Sequence, residues 1–278
     1  MQTRRDFVKT AGAGLIALGV PQVIDAQSGA TSVEKAAFKV SMAGYSFVKF
    51  NLDDSLKMLQ RLDVHYLCIK NFHLPFDSDD EQIKAFHAKL AAAGVVGYGV
   101  GPIYMKSEAE VDSGFAYAKR VGVKLIVGVP SYELLPYVEK KVKEYDFNYA
   151  IHIHGPDIKE YPHAKDVIDH VEHLDARIGL CLDIGHDARA GYNPIDDLKK
   201  YSKRVFDIHI KNVTAASKEG RTCEMGRGII NIPAFVRMLR KVKYSGACSL
   251  EFEKDMNDPL AGLAESIGYF RGVIDSTV

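Results

Sequence analysis

Four short apolar runs in the second half of the chain each end in side chains that can hold a metal ion or move a proton. They occupy residues 149–154, 179–186, 205–211 and 248–253, and they deliver His152 and His154, Asp183 and His186, His209 and Lys211, and Glu251 and Glu253. A single His or Asp after an apolar run is more often a cap or a loop residue. Four in succession are another matter. In a parallel barrel the C-terminal ends of successive strands converge on one mouth, so His152, Asp183, His209 and Glu251 can surround a single divalent ion there.

The elements that must position these residues alternate along the chain. Strand-like runs at 39–47, 65–72, 95–104 and 124–130 precede the four runs already described. Segments with apolar residues at helical spacing lie between them, at 53–62, 79–93, 108–121, 132–145, 164–174, 194–201, 232–242 and 259–274. Eight strands alternating with eight helices predict a parallel sheet, and at this length the closed (β/α)8 TIM barrel is its natural form. An open doubly wound sheet would carry a glycine-rich fingerprint after its first strand. The Met42–Phe47 segment has no G-x-G-x-x-G.

With the ligand series placed on strands five to eight, the chain resembles the xylose-isomerase-like barrel superfamily, which includes sugar phosphate isomerases and epimerases, ketose 3-epimerases, inosose dehydratases and AP endonucleases of family 2 type. The resemblance rests on Asp183, Gly185 and His186 (D-x-G-H), on His209, Lys211 and Asn212 (H-x-K-D with Asn last), on the Gly226 and Gly228 turn, and on Glu251 in the last strand. It covers residues 38–273. It implies that Asp183, His209 and Glu251 bind a divalent metal. At the fifth strand the family commonly has Glu-Asn-His, whereas this chain has His152, Ile153 and His154. His152 can still ligate, and the resulting pair of imidazoles with a pair of carboxylates suits manganese first, with cobalt, iron or zinc as alternatives, over magnesium or calcium. Losing the fifth-strand carboxylate weakens the case for a two-carboxylate epimerase and leaves isomerisation or elimination open.

Each remaining candidate follows from its position. Glu251 can combine ligation with proton handling. His154 lies two residues past His152, and so on the same strand face, as the second acid or base. Lys211 bears the same relation to His209 and is expected to hold a substrate oxygen. His186, in the loop after Asp183, reaches the rim. Tyr45, Phe47, Lys70, His73 and Tyr104 lie at the ends of strands one to three and supply the substrate wall, Tyr and Phe providing any stacking because the chain has no Trp. The expected activity is that of a metal-dependent carbohydrate isomerase, epimerase or lyase working through an enediolate, including elimination from a 3-keto-glycoside. A non-catalytic sugar-binding barrel is the alternative, and an AP-endonuclease-type nuclease stands third.

Composition narrows the partners. Lys plus Arg and Asp plus Glu both number 36, so formal net charge is zero and nothing marks a surface for a nucleic-acid backbone. No phosphate-binding loop is evident, which favours a non-phosphorylated carbohydrate. Cys68, Cys181 and Cys248 fall inside strands and Cys223 in a loop, so no structural disulfide is expected. Oligomerisation is left open.

The first residues differ from the rest. Arg4 and Arg5 within residues 3–9, followed by a Gly/Ala-rich apolar stretch from Thr10 to Ile24, resemble a twin-arginine export signal. The expected organisation is a signal at 1–26, a linker at 27–37 and a barrel at 38–278, with a periplasmic mature protein beginning near Gln27 and keeping no membrane anchor. That route exports folded proteins, so a metal can be loaded before competing ions are met outside. Replacing Arg4 and Arg5 with Lys is expected to hold the protein in the cytoplasm, as read by fractionation. Unchanged export would remove the twin-arginine assignment.

Overall fold

The computed structural model describes residues 36–277, so the expected signal and the linker up to residue 35 lie outside the described residues. Eight parallel strands close into a barrel: β1 (Lys39–Ala43), β2 (Tyr66–Ile69), β3 (Val96–Met105), β4 (Leu125–Pro130), β5 (Asn148–His152), β6 (Ile178–Asp183), β7 (Val205–Ile210) and β8 (Ala247–Leu250). Each strand pairs with the next, and β8 returns to β1 through Lys39 opposite Ala247. The chain is thus a TIM barrel. Among the described residues no helix is long and apolar enough to cross a membrane.

The helices that pack around the barrel are α1 (Leu52–Arg61), α2 (Asp80–Ala92), α3 (Glu108–Val121), α4 (Leu135–Tyr145), α5 (Ala164–Val171), α6 (Ile184–Arg189), α7 (Pro194–Tyr201), α8 (Ile232–Lys241) and α9 (Leu260–Ser276). Their ends follow local chemistry. Asp79 and Gln82 form a reciprocal capping box at the start of α2, Ser107 caps α3, and Gly122 ends α3 in the left-handed conformation. Apolar faces such as Ile83, Phe86 and Leu90 of α2 turn onto the sheet, where they join one continuous core. Inside the barrel a smaller cluster of Cys68, Val127, Ala150 and Cys181 fills the layer below the mouth. All four cysteines are buried and unpaired.

The departures from the expected elements have identifiable causes. β1 stops at Ala43, where the chain tightens into a 3-10 turn over Gly44–Phe47, because Gly44 passes so close to the Cys68 carbonyl that a Cβ would lie 2.6 Å from it. β6 stops at Asp183 because that side chain accepts hydrogen bonds from the backbone N–H groups of Gly185 and His186, starting α6 at once. His186 therefore sits on a short helix, not in a loop. β5 ends at His152, so His154 lies just beyond the strand. After β7 the chain forms a two-stranded antiparallel hairpin, Asn212–Val213 with Thr222–Cys223, which periodicity alone did not suggest.

Helices α6 and α7 bring two acids together. Asp187 is fully buried, and one carboxylate oxygen on it and one on Asp197 find no donor. Burial first, and the neighbouring Asp197 second, push the Asp187 carboxyl up to about 8. An unfolded Asp titrates near about 3.9. Between those values the folded chain holds a proton that the unfolded chain has lost, so this group's contribution to stability is complete below about pH 4 and declines as pH rises toward 8. Asp187→Asn, which keeps a donor for Asp197, is expected to flatten that decline and to make the variant the more stable form at pH 8. Urea unfolding at pH 5 and pH 8 would check it; equal slopes in the two proteins would show that the pair shares no proton.

Candidate active site

Backbone register decides which side chains meet. Asp183 at the end of β6 lies opposite His209 of β7, and His209 lies opposite Ser249 of β8. Glu251 follows one residue past β8, with its N–H donating to the Ile210 carbonyl at 3.2 Å. His152 ends β5 opposite Cys181. Inward-facing residues recur every second position along a strand, so these four ends point into one place.

The resulting cluster is compact and buried. His152, Asp183, His209 and Glu251 are all buried, and each offers a ligand atom within 4.8 Å of the others. His152 Nε2 lies 2.9 Å from His209 Nδ1, 3.8 Å from Asp183 Oδ2 and 3.9 Å from Glu251 Oε2; His209 Nδ1 is 3.4 Å from Glu251 Oε2. Four ligands around one ion with bonds of about 2.1 Å are spaced by about 3.4 Å. The donor set fits such an ion. Asp183 supplies a further sign, because its Oδ1 is taken by two backbone N–H groups while its buried Oδ2 accepts no hydrogen bond.

Lys211 is the resident cation. Its Nζ sits 2.8 Å from Glu251 Oε2, 3.2 Å from Asp183 Oδ2, 2.7 Å from Glu253 Oε2 and 3.3 Å from His186 Nε2. Gly185 makes room for it, since a Cβ there would press on the Lys211 stem at 2.8 Å. Burial alone would lower this ammonium, but Asp183, Glu251 and Glu253 override burial and hold it charged. Burial would likewise raise Glu251, yet Lys211 and His209 keep its carboxyl well below the usual range. Asp183, where burial outweighs Lys211, rises to about 6. His152 is held neutral by burial and by its imidazole neighbours.

Beneath the cluster runs a polar chain inside the barrel. Asp207 lies two residues before His209, its Oδ2 3.8 Å from His209 Nε2. Tyr98 donates to the Asp207 carboxylate and meets Ser249 Oγ, which in turn meets Ser41 Oγ at 2.8 Å. At that distance Asp207 makes no hydrogen bond to His209 Nε2, which is buried without a partner, so the carboxyl faces the ring without fixing its tautomer.

Above the cluster a cavity of about 310 Å³ opens, lined by Tyr45, Lys70, Tyr104, His154, Asp157, His186 and Glu253 together with His152 and Glu251. Tyr104 shares a hydrogen bond with His154 Nε2 at 2.7 Å, and burial lowers His154 to about 4. Lys70 donates to the Pro102 carbonyl at 2.7 Å, and burial lowers its ammonium too. Gly155, at φ +63°, carries the chain past the His186 carbonyl, which a Cβ would meet at 2.7 Å. His186 is thereby held at the cavity wall.

Not every expected residue reaches the cavity. His73 turns away, its Nε2 3.2 Å from Ser55 Oγ and 3.1 Å from the Phe50 carbonyl, where it ties the segment after β2 to the start of α1. His73 follows β2, which ends at Ile69, and contacts to Ser55 of α1 and the Phe50 carbonyl turn its ring away. Phe47 is likewise buried in the core and forms no part of the wall. Conversely, Asp157 and Asp207 were not singled out, and Glu253 closed the fourth run without a role of its own. Glu253 and Asp207 carried a readable signal, each two residues from a ligand on the same face; Asp157 is placed by the turn after His154 and had none.

The segment from residue 39 to residue 273 matches the model of the xylose isomerase-like TIM barrel family. The chain belongs to that family. The family includes sugar isomerases, epimerases and dehydratases. Among curated proteins, the chain is similar to the rhizopine catabolism protein MocC of Rhizobium meliloti, with 28% identity over 133 residues that span 42% of this chain and 40% of that protein. The match thus reaches less than half of that relative's length. Among solved structures, an uncharacterized protein from Parabacteroides distasonis shares 24% identity with a TM-score of 0.68, covering 85% of this chain and 99% of the other. An IOLI protein solved with a zinc atom shares 17% identity with a TM-score of 0.67, covering 87% and 99%.

Titration calorimetry of the purified chain with zinc or manganese is expected to give one ion per chain. Asp183→Ala should abolish that binding. Undiminished binding by Asp183→Ala would place the ion elsewhere.

Proposed function

We propose that this protein is a divalent-metal-dependent enzyme that removes a proton next to the carbonyl of a non-phosphorylated sugar or keto-glycoside, including elimination from a 3-keto-glycoside, and that it works outside the cytoplasmic membrane. The observation that carries the reading is the four-ligand cluster opening directly into a cavity walled by His154, His186, Tyr104 and Lys70. A buried ligand set alone would serve structure; one that floors an open, polar cavity serves a substrate. Manganese remains the first expectation for the ion, and the zinc in the IOLI structure supports a transition metal in this type of barrel. Residues 3–9 support export.

His152, Asp183, His209 and Glu251 would hold the ion, which supplies Lewis acidity toward adjacent substrate oxygens and so stabilises the negative charge of an enediolate. Glu251, held ionised by Lys211 and His209, takes the proton from the carbon next to the carbonyl. The Lys211 ammonium stands beside it, 2.8 Å away, as a fixed positive charge for the oxygen on which charge develops. His154 is neutral at pH 7 and, joined to Tyr104, relays a proton with a neighbouring substrate oxygen. Lys70 and His186 hold hydroxyl groups at the wall.

The test is turnover of a 3-keto-glycoside by the manganese-loaded protein in deuterated water, followed by NMR. Deuterium is expected at the carbon next to the carbonyl, and His154→Ala is expected to retain the metal while losing about 10²–10⁴-fold in kcat. Binding without turnover would make the chain a sugar-binding barrel, and quantitative hydrogen transfer between adjacent carbons would replace the enediolate with a hydride shift.

A further inference from the structure

The cavity over the ligands is not the larger one at this end of the barrel. Beside it lies a second chamber of about 590 Å³, lined by Arg189, Lys211, Thr214, Arg221, Thr222, Glu253 and Lys254 among others. The two chambers share Glu253, and the Lys211–Glu253 ion pair of 2.7 Å forms the sill between them. The outer wall is the hairpin that follows β7, built from Asn212–Val213 and Thr222–Cys223.

The charge of this chamber is one-sided. Four cations face it and one carboxylate, Glu253, does so from within the lining. Three of the cations are already engaged: Arg189 grips Asp157 through both terminal nitrogens and donates to the Lys218 carbonyl at 2.7 Å, Lys254 pairs with Glu224 at 2.7 Å, and Lys211 belongs to the ligand cluster. Arg221 has no carboxylate within 4.0 Å among the described residues. Its planar fork is suited to a two-point grip on a carboxylate. Thr214 and Thr222 also line this wall, the Thr214 hydroxyl accepting from the Arg221 backbone N–H at 3.1 Å.

We propose that the second chamber is a subsite for the unit beyond the reacting sugar, and that this unit carries a carboxylate bound by Arg221, so that the substrate class is a glycoside containing a uronic acid residue. The inference rests on the carbohydrate reading above and extends it from the reacting unit to its neighbour. The reacting sugar occupies the 310 Å³ cavity over the ligands, and the glycosidic bond crosses the Lys211–Glu253 sill. A neutral second unit would leave the Arg221 charge unused.

The experiment is a titration of ¹⁵N-labelled, zinc-loaded protein with D-glucuronate, D-glucose and inorganic phosphate. D-glucuronate is expected to shift the backbone amides of Thr214, Gly220 and Thr222. Arg221→Ala should raise its Kd at least tenfold, Arg221→Lys should recover only part of the loss, and D-glucose should leave those amides in place. Arg221 is solvent-exposed, so an unchanged spectrum elsewhere shows that each variant is folded. Shifts confined to His154 and His186, or an unchanged Kd in Arg221→Ala, would overturn the subsite, and phosphate binding as well as glucuronate would reduce it to a general anion site. The titration requires no turnover. Glucuronate seated at Arg221 in a protein that turns over no keto-glycoside would support the subsite while removing the proposed reaction, and a silent chamber in an active enzyme would do the reverse.

Discussion

The constraint on which the site depends is the burial of two carboxylates, Asp183 and Glu251, at the mouth of the barrel. Carboxylates taken out of water are costly unless a cation or strong donors compensate them. Here the compensation is divided. Two backbone N–H groups satisfy one oxygen of Asp183, and the Lys211 ammonium bridges to the other and to Glu251. What remains is the space between His152, His209 and those same oxygens, where two imidazole nitrogens face each other at 2.9 Å. A divalent ion held there would relieve that contact and offset both carboxylates.

That division explains why the surrounding glycines and turns are where they are. Gly185 exists at the start of α6 because Lys211 must pass over it, and Asp183 stops β6 because its side chain caps that helix. The D-x-G-H pattern is therefore a single device that ends a strand, presents a ligand, clears a path for the lysine and places His186 at the wall. Gly155 does comparable work after β5, permitting the turn that carries Asp157 toward Arg189 and holds the partition between the two chambers.

The barrel and its ligand series were legible because both obey short periods. Apolar runs at strand length, separated by helical spacing, leave few topologies, and a ligand at each of four consecutive strand ends points to one mouth. What was not legible depended on contacts across elements. His73 lies past the end of β2, at Ile69, and Ser55 on α1 and the Phe50 carbonyl draw its ring outward, a capture that nothing in the local sequence announces. The hairpin after β7 was hidden for a related reason. Its strands are two residues each, too short to leave a periodic trace, yet they wall the larger chamber.

The two-residue period of the strands also stratifies function by depth. Along β7 the inward positions are Asp207, His209 and Lys211; along and beyond β8 they are Ser249, Glu251 and Glu253; along and beyond β5 they are Ala150, His152 and His154. The deepest of each set fills or braces the barrel, the middle one could ligate an ion, and the outermost faces the cavity over the cluster or its sill. Support, ligation and substrate contact are thus separated by about two residues of strand rise, roughly 7 Å. A one-residue slip of any strand would turn a whole column out of the barrel, removing support, ligand and substrate group together. The cluster is consequently only as secure as the register, which makes the closed eight-stranded ladder, with no free edge to slip along, part of what holds the candidate site together.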